Sequence, residues 1–234
     1  MTTTTFDQFA RRYDAALNEG LAATGESREF FARRRVEWLR DRLHELATRP
    51  RTVMDFGCGV GATSGILREV LEAEAVFGVD ISRESLDVAR DRCSDQAVTF
   101  LMPDEWPRGL EVDLVYCNGV FHHIDPMERP ACLRFIHRAL GPDGVFALWE
   151  NNPWNPGTRL VMRRIPFDRD ARLMTSGDAV KLLVEQGFSP LRLDYTFVFP
   201  HFLRTLRRLE PRLSARPIGG QYQVLMRRAE RRPG

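Results

Sequence analysis

Val53-Met54-Asp55-Phe56-Gly57-Cys58-Gly59-Val60-Gly61-Ala62 constrains the fold more than any other part of the chain. Val53 to Phe56 is a short apolar run that reads as a buried strand. Three glycines at alternate positions then allow a tight turn and leave no Cβ between backbone and ligand. A helical pattern follows from about Thr63 to Leu71. Strand, glycine loop and helix N-terminus together form the nucleotide site of an open α/β sheet. The glycines alone do not choose the nucleotide, because Gly57-x-Gly59-x-x-Ala62 also fits the loose dinucleotide fingerprint.

Asp55 separates the alternatives. It ends the strand two residues before the first glycine, where its carboxylate would repel a phosphate at the helix N-terminus. A cationic sulfonium and ammonium would instead be favoured, as in S-adenosylmethionine. A second acid, Asp80, ends the next strand in Ala75-Val76-Phe77-Gly78-Val79-Asp80. At a strand end a carboxylate reaches a ribose diol in either cofactor family. Asp-Phe-Gly-Cys-Gly-Val-Gly followed by Val-Asp-Ile-Ser resembles the class I S-adenosylmethionine-dependent methyltransferases. The bland alternative is a glycine turn that only packs helix on strand.

That resemblance implies an α/β fold: a doubly wound, mostly parallel, seven-stranded sheet flanked by helices. It implies S-adenosyl-L-methionine as cofactor, with S-adenosyl-L-homocysteine as product. Tyr13, Arg35, Asp55, Gly57, Cys58, Gly59, Asp80, Ile81, Asp104, Glu105 and Asn118 are the positions it places against the cofactor. Asp104 matches the acid that takes the adenine amino group, although Pro103 stands where the family usually has glycine. Tyr13, in Phe-Asp-x-x-Ala-x-x-Tyr-Asp, either covers the cleft as in small-molecule methyltransferases or is a core aromatic. Arg35, in Phe-Ala-x-x-Arg, is the candidate for the methionine carboxylate. Otherwise Arg33, Arg34 and Arg35 form a solvated face.

The 234 residues suit one large α/β domain. Residues 1–48 are expected to form an N-terminal helical cap, with helices at Phe6 to Leu17 and Glu29 to Leu46 and Ser27 as an N-cap. Residues 51–150 form the cofactor-binding core, 151–172 an insertion and 173–234 the rest of the sheet. Further strands are expected at Ala97 to Leu101, Val112 to Asn118 and Val145 to Trp149. Pro126 starts a helix to about Leu140, and Gly141 to Gly144 is a turn. Asn151 to Arg172, with Pro153, Pro156 and Pro166, reads as a long irregular lid. A helix at Gly177 to Gln186, a strand near Leu191 to Phe199, a basic helix at Leu203 to Leu209 and a strand at Gln221 to Met226 follow.

Methyl transfer from a sulfonium is an in-line displacement that needs alignment and exclusion of water. A base is also needed where the acceptor is a hydroxyl or a protonated nitrogen. His122 and His123 follow the fourth strand, and histidine titrates near neutrality. His122 is taken as the base and Glu150, at the end of the fifth strand, as its reserve. Histidine at position 123 resembles a structural residue of the family. Trp154 and Phe167 in the insertion are expected to give apolar contact, and Arg159, Arg163 and Arg164 to meet an acidic or polar acceptor.

The resulting expectation is O- or N-methylation of a small-molecule acceptor, a bacterial secondary metabolite. The alternatives are a nucleic-acid or lipid-linked substrate, or a non-catalytic cofactor-binding protein. Nucleic acid is disfavoured because Asn118-Gly119-Val120-Phe121 lacks the prolines of the amino-methylating motif. The net charge of +2 selects no partner. No metal site is expected, since adjacent histidines rarely converge on one ion. Cys58, Cys93, Cys117 and Cys132 form no Cys-x-x-Cys pair. The start of the chain reads as no signal peptide, and no apolar run is long enough to span a bilayer. A reducing cytoplasm is therefore expected, with peripheral membrane contact and oligomeric state left open.

Overall fold

The computed structural model describes residues 21, 24–165 and 171–229. Tyr13, the helix expected at Phe6 to Leu17, and Phe167 lie outside the described residues. Seven strands form one sheet: β1 (Thr52–Phe56), β2 (Ala75–Val79), β3 (Val98–Leu101), β4 (Val112–Asn118), β5 (Leu140–Asn151), β6 (Phe188–Thr196) and β7 (Gln221–Arg228). Their order is β3-β2-β1-β4-β5-β7-β6. β1 to β5 pair in parallel, and β7 lies antiparallel to both β5 and β6. The sheet is therefore doubly wound and mostly parallel. The strand order reverses between β1 and β4, and the crevice of such a sheet opens beyond their carboxyl ends.

Seven α-helices accompany the sheet among the described residues: α1 (Arg28–Glu45), α2 (Ala62–Val70), α3 (Arg83–Arg92), α4 (Arg129–Ala139), α5 (Pro156–Arg164), α6 (Ser176–Glu185) and α7 (Glu210–Leu213). Alternation along the strands divides the core into two layers. Val53 and Leu114 join Leu39, Leu67, Leu86 and Trp149 on one face. Met54 and Val115 join Leu133, Ile136, Leu183 and Tyr222 on the other. Ser27 Oγ accepts the Phe30 N–H at 3.1 Å and caps α1. Ser82 Oγ caps α3 through Ser85 N–H, also at 3.1 Å.

Several boundaries depart from the sequence reading. α4 begins at Arg129 instead of Pro126. Asp125 makes a turn first, its Oδ1 accepting Met127 N–H at 2.9 Å and its carbonyl Glu128 N–H at 2.8 Å. The turn expected at Gly141 to Gly144 is a register slip within β5: Val112 pairs with Leu140, whereas Leu114 pairs with Val145. The basic helix is a 3₁₀ segment, His201–Leu209, kinked at Leu203. The irregular insertion contains α5, because Asn155 Oδ1 caps Thr158 N–H at 3.0 Å and Pro156 occupies the first turn.

Candidate active site

A cavity of about 450 Å³ lies at the carboxyl ends of β1 and β4, where the strand order reverses. Gly57, Cys58 and Gly59 form part of its wall. Gly57 is at φ +74°, and a Cβ there would meet Val120 Cγ2 at 2.3 Å. Gly59 is at φ +52°, and a Cβ would meet nothing within 4 Å, so the bare backbone faces open space. Gly61 starts α2 without a side-chain cap, so the first-turn N–H groups receive no side-chain acceptor there.

Asp55 ends β1 almost fully buried, and Ser64 Oγ donates to its Oδ2 at 2.7 Å. Burial pushes the Asp55 carboxyl up to about 7, against the opposing hydrogen bond from Ser64. Asp80 also raises it, and Arg28 lowers it. A cation beside Asp55 would favour its ionised form. Asn118 Oδ1, in the same wall, is buried with no hydrogen-bond partner among the described residues. Arg35 is buried on α1, with Nη1 donating to Gln221 Oε1 at 3.1 Å. These groups fit a ligand end that carries an ammonium and a carboxylate. Burial pushes the Tyr116 phenol up to about 12 and the Cys58 thiol well above its usual value, so both stay neutral.

The adenosine-side candidates stand outside this wall. Asp80 Oδ2 accepts Gly59 N–H at 2.8 Å and Oδ1 accepts Ser82 N–H at 2.9 Å, so the carboxylate also braces the glycine loop. Ile81 is half exposed. Asp104 is exposed in the 3₁₀ turn Pro103–Glu105. Glu105 Oε2 accepts Met102 N–H at 2.8 Å, which gives that acid a local structural role.

His122 and His123 line the cavity, their ring centroids 4.1 Å apart. Glu150 does not face the cleft as its position at the strand end suggested. It is fully buried behind His122, because its carboxylate is held on both sides. Oε1 accepts Phe121 N–H at 2.9 Å, and Oε2 lies 2.6 Å from His122 Nδ1. With Glu150 ionised, Nδ1–H is the donor of this contact, because a carboxylate only accepts. Among the described residues no three His, Cys, Asp or Glu side chains could hold a metal ion.

Among the described residues of the insertion, the cavity is lined by residues other than Trp154 and Arg159. Thr158, Val161, Met162 and Ile165 line the cavity at the i, i+3, i+4, i+7 spacing of one helix face. That spacing turns Arg159, Arg163 and Arg164 to solvent. Trp154 is 72% exposed, since its N–H is taken by Asn152 Oδ1 in the turn before α5. The cavity lining also holds Phe30, Phe31, Phe197 and Phe199, none of them a site candidate from the sequence. Glu26 belongs to the same lining. Burial raises its pKa, but hydrogen bonds from His201 and Arg207 outweigh this and hold it below the usual range.

Residues 53–144 match the methyltransferase domain family. Over that stretch the chain carries a methyltransferase domain. It is 31% identical to cyclopropane-fatty-acyl-phospholipid synthase of Escherichia coli (strain K12), over 41% of this chain and 25% of that protein. It is 32% identical to trans-aconitate 2-methyltransferase of Azoarcus sp. (strain BH72), over 52% of this chain and 47% of that protein. The methyltransferase domain thus spans between a quarter and about half of the curated relatives it matches. The magnesium protoporphyrin IX methyltransferase of Synechocystis PCC 6803, solved with bound S-adenosylhomocysteine, superposes with a TM-score of 0.58. It is 20% identical, covering 84% of this chain and 83% of that one, a likeness of fold.

Proposed function

We propose that the protein transfers a methyl group from S-adenosylmethionine to an oxygen or nitrogen of a small-molecule or lipid-type acceptor. The observation that carries the reading is the 2.6 Å contact between His122 Nδ1 and the buried Glu150, at the cavity beside the glycine loop. When bound, the cofactor supplies an already activated methyl on a cationic sulfur.

Asp55 and Asn118 favour the ammonium of its methionine end, Arg35 its carboxylate, and Asp80 the ribose hydroxyls. The acceptor loses a proton to His122 Nε2 as its lone pair forms the new bond to carbon. Bound there, the cofactor would supply the methyl carbon and take up the electron pair of its own carbon–sulfur bond. Glu150 is a positioning residue: it fixes the His122 tautomer and stabilises the imidazolium that forms. The inner face of α5 closes the cavity over the acceptor and excludes water. The whole chain acts as one catalytic domain in a reducing cytoplasm, in keeping with four free cysteines, two of them buried.

His122→Ala is expected to lower turnover ~10²-fold or more while leaving S-adenosylhomocysteine affinity unchanged. Methyl transfer from isotope-labelled cofactor to an acceptor panel, read by mass spectrometry, measures the first, and calorimetry the second. Normal turnover in His122→Ala would leave alignment alone to carry the rate.

A further inference from the structure

Part of the cavity wall consists of rings set edge to face. Phe30 and Phe31 are 5.5 Å apart with planes at 78°. Phe31 and Phe197 are 5.0 Å apart at 72°. Such a wall offers positive ring edges and negative ring faces to a further ring, the geometry that aromatic pairs prefer.

The backbone is bent to make this wall. Phe197, at the end of β6, has φ +60°, a left-handed conformation that is unusual for a bulky residue. Gly220 N–H donates to its carbonyl at 3.2 Å. The next two N–H groups, of Val198 and Phe199, both donate to Glu210 Oε1, at 3.0 and 3.1 Å. Glu210 is buried, so a carboxylate inside the protein holds the turn that brings Phe197 and Phe199 to the cavity.

The charges of this wall are matched internally. Arg207 lies 4.7 Å over the Phe30 ring, donates its Nε–H to the Phe199 carbonyl, and pairs with Glu26 at 2.7 Å. His201 Nδ1 meets the same carboxylate oxygen of Glu26 at 2.9 Å. Arg28 and Arg35 also line the cavity, Arg28 acting on Asp55 and Arg35 donating to Gln221. Among the described residues of the ring wall, an acceptor carboxylate would meet phenylalanine and an arginine already paired with an acid.

We infer that the acceptor is an uncharged, ring-bearing molecule whose ring packs against Phe30, Phe31, Phe197 and Phe199, and that polycarboxylates are excluded. The inference rests on the methyltransferase reading, from which its test separates it. Protein saturated with S-adenosylhomocysteine is titrated by calorimetry with phenol, 2-naphthol and indole, and with trans-aconitate. At least one ring probe is expected to bind and trans-aconitate is not. Phe31→Leu keeps volume and helix propensity, and should weaken the ring probe tenfold or more while S-adenosylhomocysteine affinity holds. Phe199→Leu carries the same expectation should Phe31→Leu lose its cooperative melting. Trans-aconitate binding above the ring probes, no ring probe binding, or ring affinity within twofold of wild type in the variant overturns the inference. Failure of S-adenosylhomocysteine to bind overturns the methyltransferase reading, and titration of ring probes into the protein alone then still decides the acceptor wall.

Discussion

The two halves of the cavity are built from different materials. Apart from Arg35 on α1, the cofactor half comes from one compact run of chain, β1 through β4, and works through backbone and short polar groups: Gly57, Gly59, Asp55 and Asn118. The acceptor half draws on α1, α5 and the turn at residues 197–199, and works through side-chain rings and methyls. Backbone recognition tolerates almost no change at its glycines, because there is no rotamer to adjust. A wall of side chains can be exchanged piece by piece at the cost of affinity. The difference teaches where this domain is free to vary its substrate and where it is not.

The largest effect is expected at Gly57. Alanine there would be strained at φ +74° and would drive its Cβ into Val120. We expect Gly57→Ala to cost on the order of 3 kcal/mol in denaturant unfolding and to abolish measurable S-adenosylhomocysteine binding. Retention of both would show that the loop is more pliable than the comparison requires.

Asp55 sharpens the contrast through pH. Its folded pKa, about 7, lies above the 3.8 of an unstrained aspartate. The folded state therefore binds the proton more tightly, and this contribution to stability is full below about 4 and is lost as pH rises through about 7. Asp55→Asn removes the buried charge, so its protein is expected to unfold at higher denaturant than wild type at pH 8 and to differ little at pH 4. The gain is on the order of a few kcal/mol at most. Cofactor affinity should move the other way: in wild type it rises between pH 6 and 8 as Asp55 ionises, and in Asp55→Asn it is weak and flat. Calorimetry across that range checks both signs.

The smallest effects are expected on the outer face of α5. Trp154 and Arg159 carry the chemistry of binding residues but point away from the cavity. Trp154→Ala and Arg159→Ala should each leave acceptor KM within about twofold and stability within about 0.5 kcal/mol. A large change in KM would mean that the acceptor reaches beyond the cavity to that surface.

Local signals determined a good deal by themselves. Alternating apolar runs, Ser27 as a cap, and the glycine loop between Phe56 and Ala62 are read from near neighbours, and those features formed where the signals lay. Hydrogen-bonded turns and caps are satisfied within a few residues, so their physics is written in short windows of sequence. The cofactor half was legible for the same reason: its groups stand at the ends of consecutive parallel strands.

Only the tertiary structure decided the rest. Glu150 and His122 are 28 residues apart in the chain, and the pairing of β4 with β5 brings them together. Phe31 and Phe197 meet because α1 packs at the end of β6, a contact that no periodicity announces. The face of α5 that looks inward follows from where its Asn155 cap fixes the helix, and that cap is anchored to the carbonyl of Ile218 at 2.8 Å. An aromatic or an arginine in a loop is chemically suited to either solvent or ligand. Its direction is set by long-range packing, and so the acceptor wall was visible only once the chain had folded.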